Sequence, residues 1–187
     1  MPSPLGAAYW KLWTSSALSN LADGVMKVAL PLVAIRFTDS PTLIAGLTFA
    51  FTLPWLLFAL TAGAFADRFD RRRLMLIANS ARAAFLAILT IAALFGIGSI
   101  WVLYAAAICV GVAETIYDTS AQSILPQVVG RDALSRANGR LYAAELTTNQ
   151  FIGPPLGGFL VAAGIALAFG APVILWALAI GILLLMR

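Results

Sequence analysis

The chain contains no histidine and a single cysteine, Cys109. The first absence removes imidazole from any metal site or proton relay. The second excludes an intrachain disulfide, and no metal-ligand cluster surrounds Cys109, which reads as a small packing residue inside an apolar run. Charge is also scarce: charged residues make up 11% of the sequence, against about 25% in an ordinary soluble domain. There is no thiol pair and no phosphate-binding glycine loop, so nothing points to a hydrolytic or redox enzyme, a cofactor or a metal. The formal charge of +4 sits mainly at the ends of apolar segments, which argues against nucleic acid as a partner.

What is abundant is apolar. Hydrophobic residues account for 61% of the 187 positions, far more than a soluble core of this size can bury. The expected fold class is all-α: a polytopic membrane protein, with membrane lipid as its solvent. A spanning helix needs about 20 mostly apolar residues, and six such segments fit, at roughly 8–36, 42–66, 72–96, 100–125, 133–164 and 168–186, making one transmembrane domain over 1–187. The fourth is expected to stop at Pro126. The start, Met1-Pro2-Ser3-Pro4, carries no basic region of a cleaved signal, so the first span is expected to act as its own insertion signal.

Lys and Arg in short loops set orientation. The loop between spans two and three carries Arg68, Arg71, Arg72 and Arg73, the loop between four and five carries Arg131 and Arg136, and the ends carry Lys11 and Arg187. On the other side only Arg36 and Asp39 appear. Both termini are expected to be cytoplasmic, in a plasma membrane of the bacterial inner-membrane type. Tyr9, Trp10 and Trp13 at the start of span one, and Trp101 and Tyr104 at the start of span four, suit interfacial anchors.

Six charged residues lie well inside spans, away from their ends: Asp23, Lys27, Arg82, Glu114, Asp118 and Glu145. Each costs roughly 2.5–3.5 kcal/mol at mid-bilayer on insertion scales, so each must meet a partner or water. Ser16, Asn20, Asp23 and Lys27 recur at helical spacing, as do Asn138, Tyr142, Glu145 and Asn149 on span five and Gly111, Glu114, Asp118 and Gln122 on span four. Thr48, Thr52 and Trp55 repeat the pattern more weakly on span two. Three or four polar stripes in one bundle imply a hydrated cavity. Two readings stand for Asp23 and Lys27: a self-neutralising pair one turn apart, or members of a binding and coupling site. Glu114 and Asp118 are acids one turn apart, a pairing suited to reversible protonation. Arg82 suits a structural partner for such an acid, and Glu145 fits either role. All six are candidates for substrate or proton coupling. Acids at mid-span in each three-span half are also where transporters built on inverted repeats place their sites. Pro31, Pro54 and the pair Pro154-Pro155 lie within spans, where they free carbonyls and bend helices. Gly153 and Gly157 form a small-xxx-small pair that permits close helix contact.

The most informative stretch is 63–73, where four arginines and two aspartates crowd into seven positions after the charge-free run 40–62. Gly63, Ala66, Asp67, Arg68, Arg71 and Arg72 match the G-x-L-A-D-R-x-G-R-R signature of the loop between helices two and three in major facilitator superfamily transporters. The chain resembles the amino-terminal six-helix half of that family. Phe65 replaces the usual leucine. Asp70 replaces the usual glycine, a variant similar to the drug-exporter branch that includes macrolide and siderophore exporters. Gly153, Pro154, Gly157 and Gly158 match the G-P-x-x-G-G core of the helix-five antiporter signature, with Asn149 where a glycine usually precedes it. The fourth-span arginine of many proton-coupled exporters is absent.

The resemblance implies a secondary active exporter of amphipathic small molecules, driven by protons and rocking against a second six-helix half. It implies that Asp67 grips a helix of that half, that Arg71 pairs with Asp118, that 153–158 forms a bend limiting proton leak, and that Asp23 and Glu114 face the central cavity. The alternative expectation is a non-transporting six-helix membrane subunit, or a truncated fragment of a full-length transporter, because the sequence given stops at Leu185-Met186-Arg187.

Overall fold

The computed structural model describes residues 5–186. The opening Met1-Pro2-Ser3-Pro4 and the terminal Arg187 lie outside the described residues. Four long helices come first: α1 (Ala7–Ala34), α2 (Pro41–Arg68), α3 (Arg71–Leu94) and α4 (Ile100–Val128). A 3-10 turn, Arg131–Ala133, leads into α5 (Leu134–Leu146). A π-helical segment, Thr147–Ile152, then joins α5 to α6 (Gly153–Ala163) without a break, and α7 (Ile165–Leu184) follows. The run α5–π–α6 forms one composite span. The other five helices are each long and apolar enough to cross a membrane. The molecule is therefore an all-helical six-span bundle.

Local chemistry sets the joints. Ser40 and Ser99 cap α2 and α4, accepting from the amides of Leu43 and Val102 at 3.4 and 3.3 Å. Asp70, the variant position of the signature, caps α3: its Oδ1 accepts from the Arg73 amide at 2.7 Å. A carboxylate at a helix start satisfies an orphan N–H and meets the positive end of the helix dipole. At the other end of α3, Gly96 adopts φ +70°, and the amides of Gly96 and Ile97 return to Ala93 and Ala92. That is the left-handed stop that glycine accepts without a Cβ clash. Pro126 does not end α4, which runs on to Val128. Pro126 sits in the last turn, where few backbone bonds remain to be broken.

α1 is the central element, packed against α7 on one side and the composite span on the other. α2 packs on α4, and α3 fills the space between α4 and α7. Two apolar clusters form the core. One gathers Leu30, Val33, Leu103, Phe169 and Trp176, and the other Tyr9, Leu12, Met75, Tyr117 and Leu183.

The second cluster marks one end of the bundle. There Tyr9 Oη donates to the Ala137 carbonyl at 3.1 Å, and Lys11 Nζ donates to that of Leu185 at 2.7 Å. Arg72 donates to Leu183 and Leu184 at 2.8 and 2.9 Å. Two cations thus satisfy the orphan carbonyls at the end of α7, the pole of the helix dipole that favours positive charge. These bonds place the signature loop, the start of α1 and the start of α5 at the same end. Lys11, Arg68, Arg71, Arg72, Arg73, Arg131, Arg136 and Arg140 gather there, while Arg36 and Asp39 lie at the other end.

Candidate functional site

The six intramembrane ionisable residues separate into two sets. The first is sealed. Asp23 is fully buried and receives both oxygens' hydrogen bonds from Arg82 Nη1, at 2.6 and 2.7 Å. Arg82 Nη2 donates to Ser19 Oγ at 2.9 Å and to Asn79 Oδ1, and Ser19 donates to Asn79 at 3.1 Å. The guanidinium carbon stands 5.1 Å from the Tyr117 ring centroid and 5.2 Å from that of Trp176. Those rings belong to the two different core clusters, so this polar layer lies between them. It has little water to lose, and its charges are matched by hydrogen bonds and aromatic faces.

This placement departs from the expectation that Asp23 faces the cavity and from the Asp23–Lys27 neutral pair. The α1 stripe is wide enough to be divided. At about 100° per residue, Asn20 and Lys27 point within roughly 20° of each other, whereas Asp23 lies about 40° to the side of Lys27 and turns to α3.

The second set lines a cavity of about 440 Å³. Lys27 enters from α1, Trp55 from α2, Glu114 and Asp118 from α4, and Tyr142 and Glu145 from α5. A hollow of about 280 Å³, which also touches Lys27, continues along α1 past Pro31. Lys27 Nζ donates to Asn149 Oδ1 at 2.6 Å, Asn149 donates to Asn20 Oδ1 at 3.1 Å, and Asn20 donates to the Ser16 carbonyl at 3.0 Å. This line of amides holds the lysine on a neutral partner. Three carboxylates therefore share the cavity with one ammonium that none of them clamps.

Asn149 reaches Lys27 from the π-helical segment. The cause lies just beyond it. Pro154 and Pro155 have no N–H to give, and their rings press on carbonyls one turn back. The helix widens, and the Gly153 amide bonds to the Thr148 carbonyl five residues earlier. π turns of this kind are frequent at functional sites. The Pro-Pro pair was the sequence signal for a distortion here, although the amide it would re-aim was not predictable. Close approach fixes the same region. A Cβ on Gly153 would lie 2.6 Å from the Gly24 Cα, and one on Gly157 2.6 Å from the Val25 carbonyl oxygen. α1 and the composite span thus cross backbone to backbone.

The signature residues lie apart from the cavity. Arg71 pairs with Asp67 at 3.6 Å rather than with Asp118. Asp118 shares its α4 face with Glu114 and looks into the cavity, whereas Arg71 opens α3 beside the end of α2. The Asp67 side chain is 77% exposed, so that pair is screened and worth little by itself. Gly63 and Gly158 have open space where a Cβ would stand. Arg68 and Arg73 are solvent-exposed. Ser19, Asn79, Tyr117 and Trp176, which complete the Arg82 layer, were not foreseen, because each is an ordinary packing residue until Arg82 is placed among them.

Comparison with known proteins agrees with this architecture. The family described as transmembrane secretion effector, MFS_3, matches residues 3–187. The multidrug efflux pump Tap of Mycolicibacterium fortuitum is 30% identical over 151 residues, covering 77% of this chain and 36% of that protein. Tap of Mycobacterium tuberculosis H37Rv is 31% identical over 157 residues, covering 79% of this chain and 36% of its own length. Macrolide efflux protein A of Streptococcus pyogenes is 21% identical over 147 residues, again 79% and 36%. The chain thus spans about a third of the length of these relatives. With its six-span bundle and the family match over nearly its whole length, the chain belongs to the transmembrane secretion effector branch of the major facilitator superfamily, a family of membrane transporters.

Proposed function

We propose that this chain supplies the amino-terminal half of a secondary active exporter of amphipathic small molecules, working by alternating access with a second six-helix half. The observation that carries the reading is the cavity on one side of the bundle, where Lys27, Glu114, Asp118 and Glu145 meet the rings of Trp55 and Tyr142. Aromatic faces suit the apolar body of such a compound, and the carboxylates suit a cationic group or an exchanged proton. Two ionised acids one turn apart repel, so binding either a cation or a proton favours one conformation over another and couples the two. The Arg82–Asp23 layer, by contrast, keeps α1 and α3 moving as one body.

Further support comes from the three efflux proteins named above and from the charge asymmetry of the two ends. The Arg-rich end faces the cytoplasm by the positive-inside rule, which puts both ends of the chain there in a bacterial inner membrane. In this reading Asp67, largely exposed at that end, grips a helix of the second half when the cytoplasmic side closes.

The test is accumulation of ethidium by everted membrane vesicles from cells expressing the native gene. Imposing a proton gradient should raise accumulation several-fold over vesicles without the protein, and a protonophore should abolish the gain. Accumulation unaffected by the protonophore would refute proton exchange. No accumulation of ethidium or of a panel of macrolides would refute the exporter reading.

A further inference from the structure

A groove of about 610 Å³ lies outside the polar cavity, between α1 and the composite span. Trp10, Trp13 and Arg140 form its mouth, at the Arg-rich end of the bundle. The floor is made of small or apolar positions, among them Ala17, Ala143, Ala144 and Ile152. The mouth is held in shape. The Arg140 guanidinium carbon sits 5.8 Å from the Trp10 ring centroid, and Trp13 Nε1 donates to the Arg140 carbonyl at 3.1 Å. Trp10 and Trp13 meet edge to face with centroids 5.8 Å apart. No carboxylate lines the groove.

We infer that this groove binds one anionic phospholipid, its phosphate on Arg140 and one acyl chain laid along α5 and the π-helical segment. Depth supports the lipid. Arg140 to Ile152 spans about 18 Å at the rise of a helix, close to the roughly 15 Å from the edge of the hydrocarbon core to its centre. The mouth therefore lies at headgroup level and the floor at acyl-chain level. Two interfacial tryptophans at the mouth place it at the same level independently.

Charge selects the headgroup. Arg140 offers a planar fork of donors that matches two phosphate oxygens. A zwitterionic lipid brings an ammonium that finds no acid here. On Trp10, the Arg140 guanidinium already occupies one face of the ring. Phosphatidylglycerol meets the cation without adding a positive charge.

The inference does not depend on the exporter reading, since the groove and the cavity share no lining residue. The experiment is native mass spectrometry of the whole chain released from micelles that contain equimolar phosphatidylglycerol and phosphatidylcholine. The wild-type chain should retain phosphatidylglycerol about fivefold over phosphatidylcholine, the preference expected for one basic residue at a membrane surface. Arg140→Gln should bring the ratio close to one. It leaves the backbone carbonyl that Trp13 uses in place, and unchanged helicity would show that the bundle still forms. Ala143→Trp should fill the groove from its exposed side and lower phosphatidylglycerol retention while Arg140 remains. Glycerophosphoglycerol, the headgroup without chains, should displace little of the bound lipid. Equal retention of the two lipids by the wild type would overturn the proposal, as would an unchanged ratio in Arg140→Gln. Full displacement by the chainless headgroup would replace the lipid site with a plain anion site.

Discussion

At the scale of single residues, the decisive event is the choice Asp23 makes between two cations. Lys27 stands four residues away on the same helix, yet Arg82, 59 residues away, takes both carboxylate oxygens. Arginine wins because its fork can hold Asp23, Ser19 and Asn79 together while its face meets two rings, which an ammonium cannot do. Lys27 is thereby released to the cavity. Breaking the sealed pair from one side should be costly. Arg82→Met strands a carboxylate among apolar groups and is expected to lower stability by about 3–5 kcal/mol. The check is thermal unfolding in detergent, followed by circular dichroism. Replacing both partners, Asp23→Leu with Arg82→Met, should recover most of that loss. A double variant as unstable as the single one would contradict the account of the layer as a matched pair. The sequence displayed the polar residues and their stripes. It could not show which acid meets Arg82, because that depends on a rotation of about 40° around α1.

At the scale of elements, the composite span shows where reading by pattern ends. Its apolar length and its Gly-Pro-Pro break are plain in the sequence, whereas the π turn that aims Asn149 at Lys27 follows from how the chain relieves the two prolines. The α1 crossing depends on bare backbone at Gly24, Gly153 and Gly157. Gly153→Leu is expected to part the helices and to cost about 1–3 kcal/mol or more through overpacking, read as a lower melting temperature. Gly158→Leu, on the open face, should change it little. An equal loss in both variants would mean that the crossing is not the cause. The signature position Asp70 is a cap. Asp70→Ala should therefore cost about 1 kcal/mol, while Asp70→Asn, which keeps an acceptor oxygen, should cost less. Capping gives the aspartate at this position of the chain a local role, a point visible only once the start of α3 is placed at Arg71.

At the scale of the whole molecule, fold class was the most legible property. Six apolar segments, charge at their ends and one signature loop already specify a membrane bundle in the sequence. The separation of work within it was not legible. Three spans carry polar stripes of similar appearance, yet one set of charges is locked between two apolar clusters and the other lines open space. Large apolar side chains also remain exposed on α2 and the composite span, including Trp55, Leu56, Leu60, Phe151 and Phe159. Such faces suit lipid or the second half of a transporter. If Asp67 docks on that half, Asp67→Asn should slow dye efflux while leaving the thermal stability of this chain within about 0.5 kcal/mol, the range usual for a surface substitution.

If the proposed exporter reading holds, transport depends on the cavity charges, whereas the Asp23–Arg82 layer matters to stability alone. The most direct measurement is ethidium efflux from cells expressing the native gene, compared at equal membrane abundance. Glu114→Gln and Asp118→Asn are expected to reach wild-type abundance and to lose about tenfold or more in efflux, the scale on which removing differential binding shifts a two-state equilibrium. The double variant Asp23→Leu with Arg82→Met should retain most of the efflux. Full efflux in both cavity variants, together with an inactive but abundant double variant, would reverse that assignment of roles.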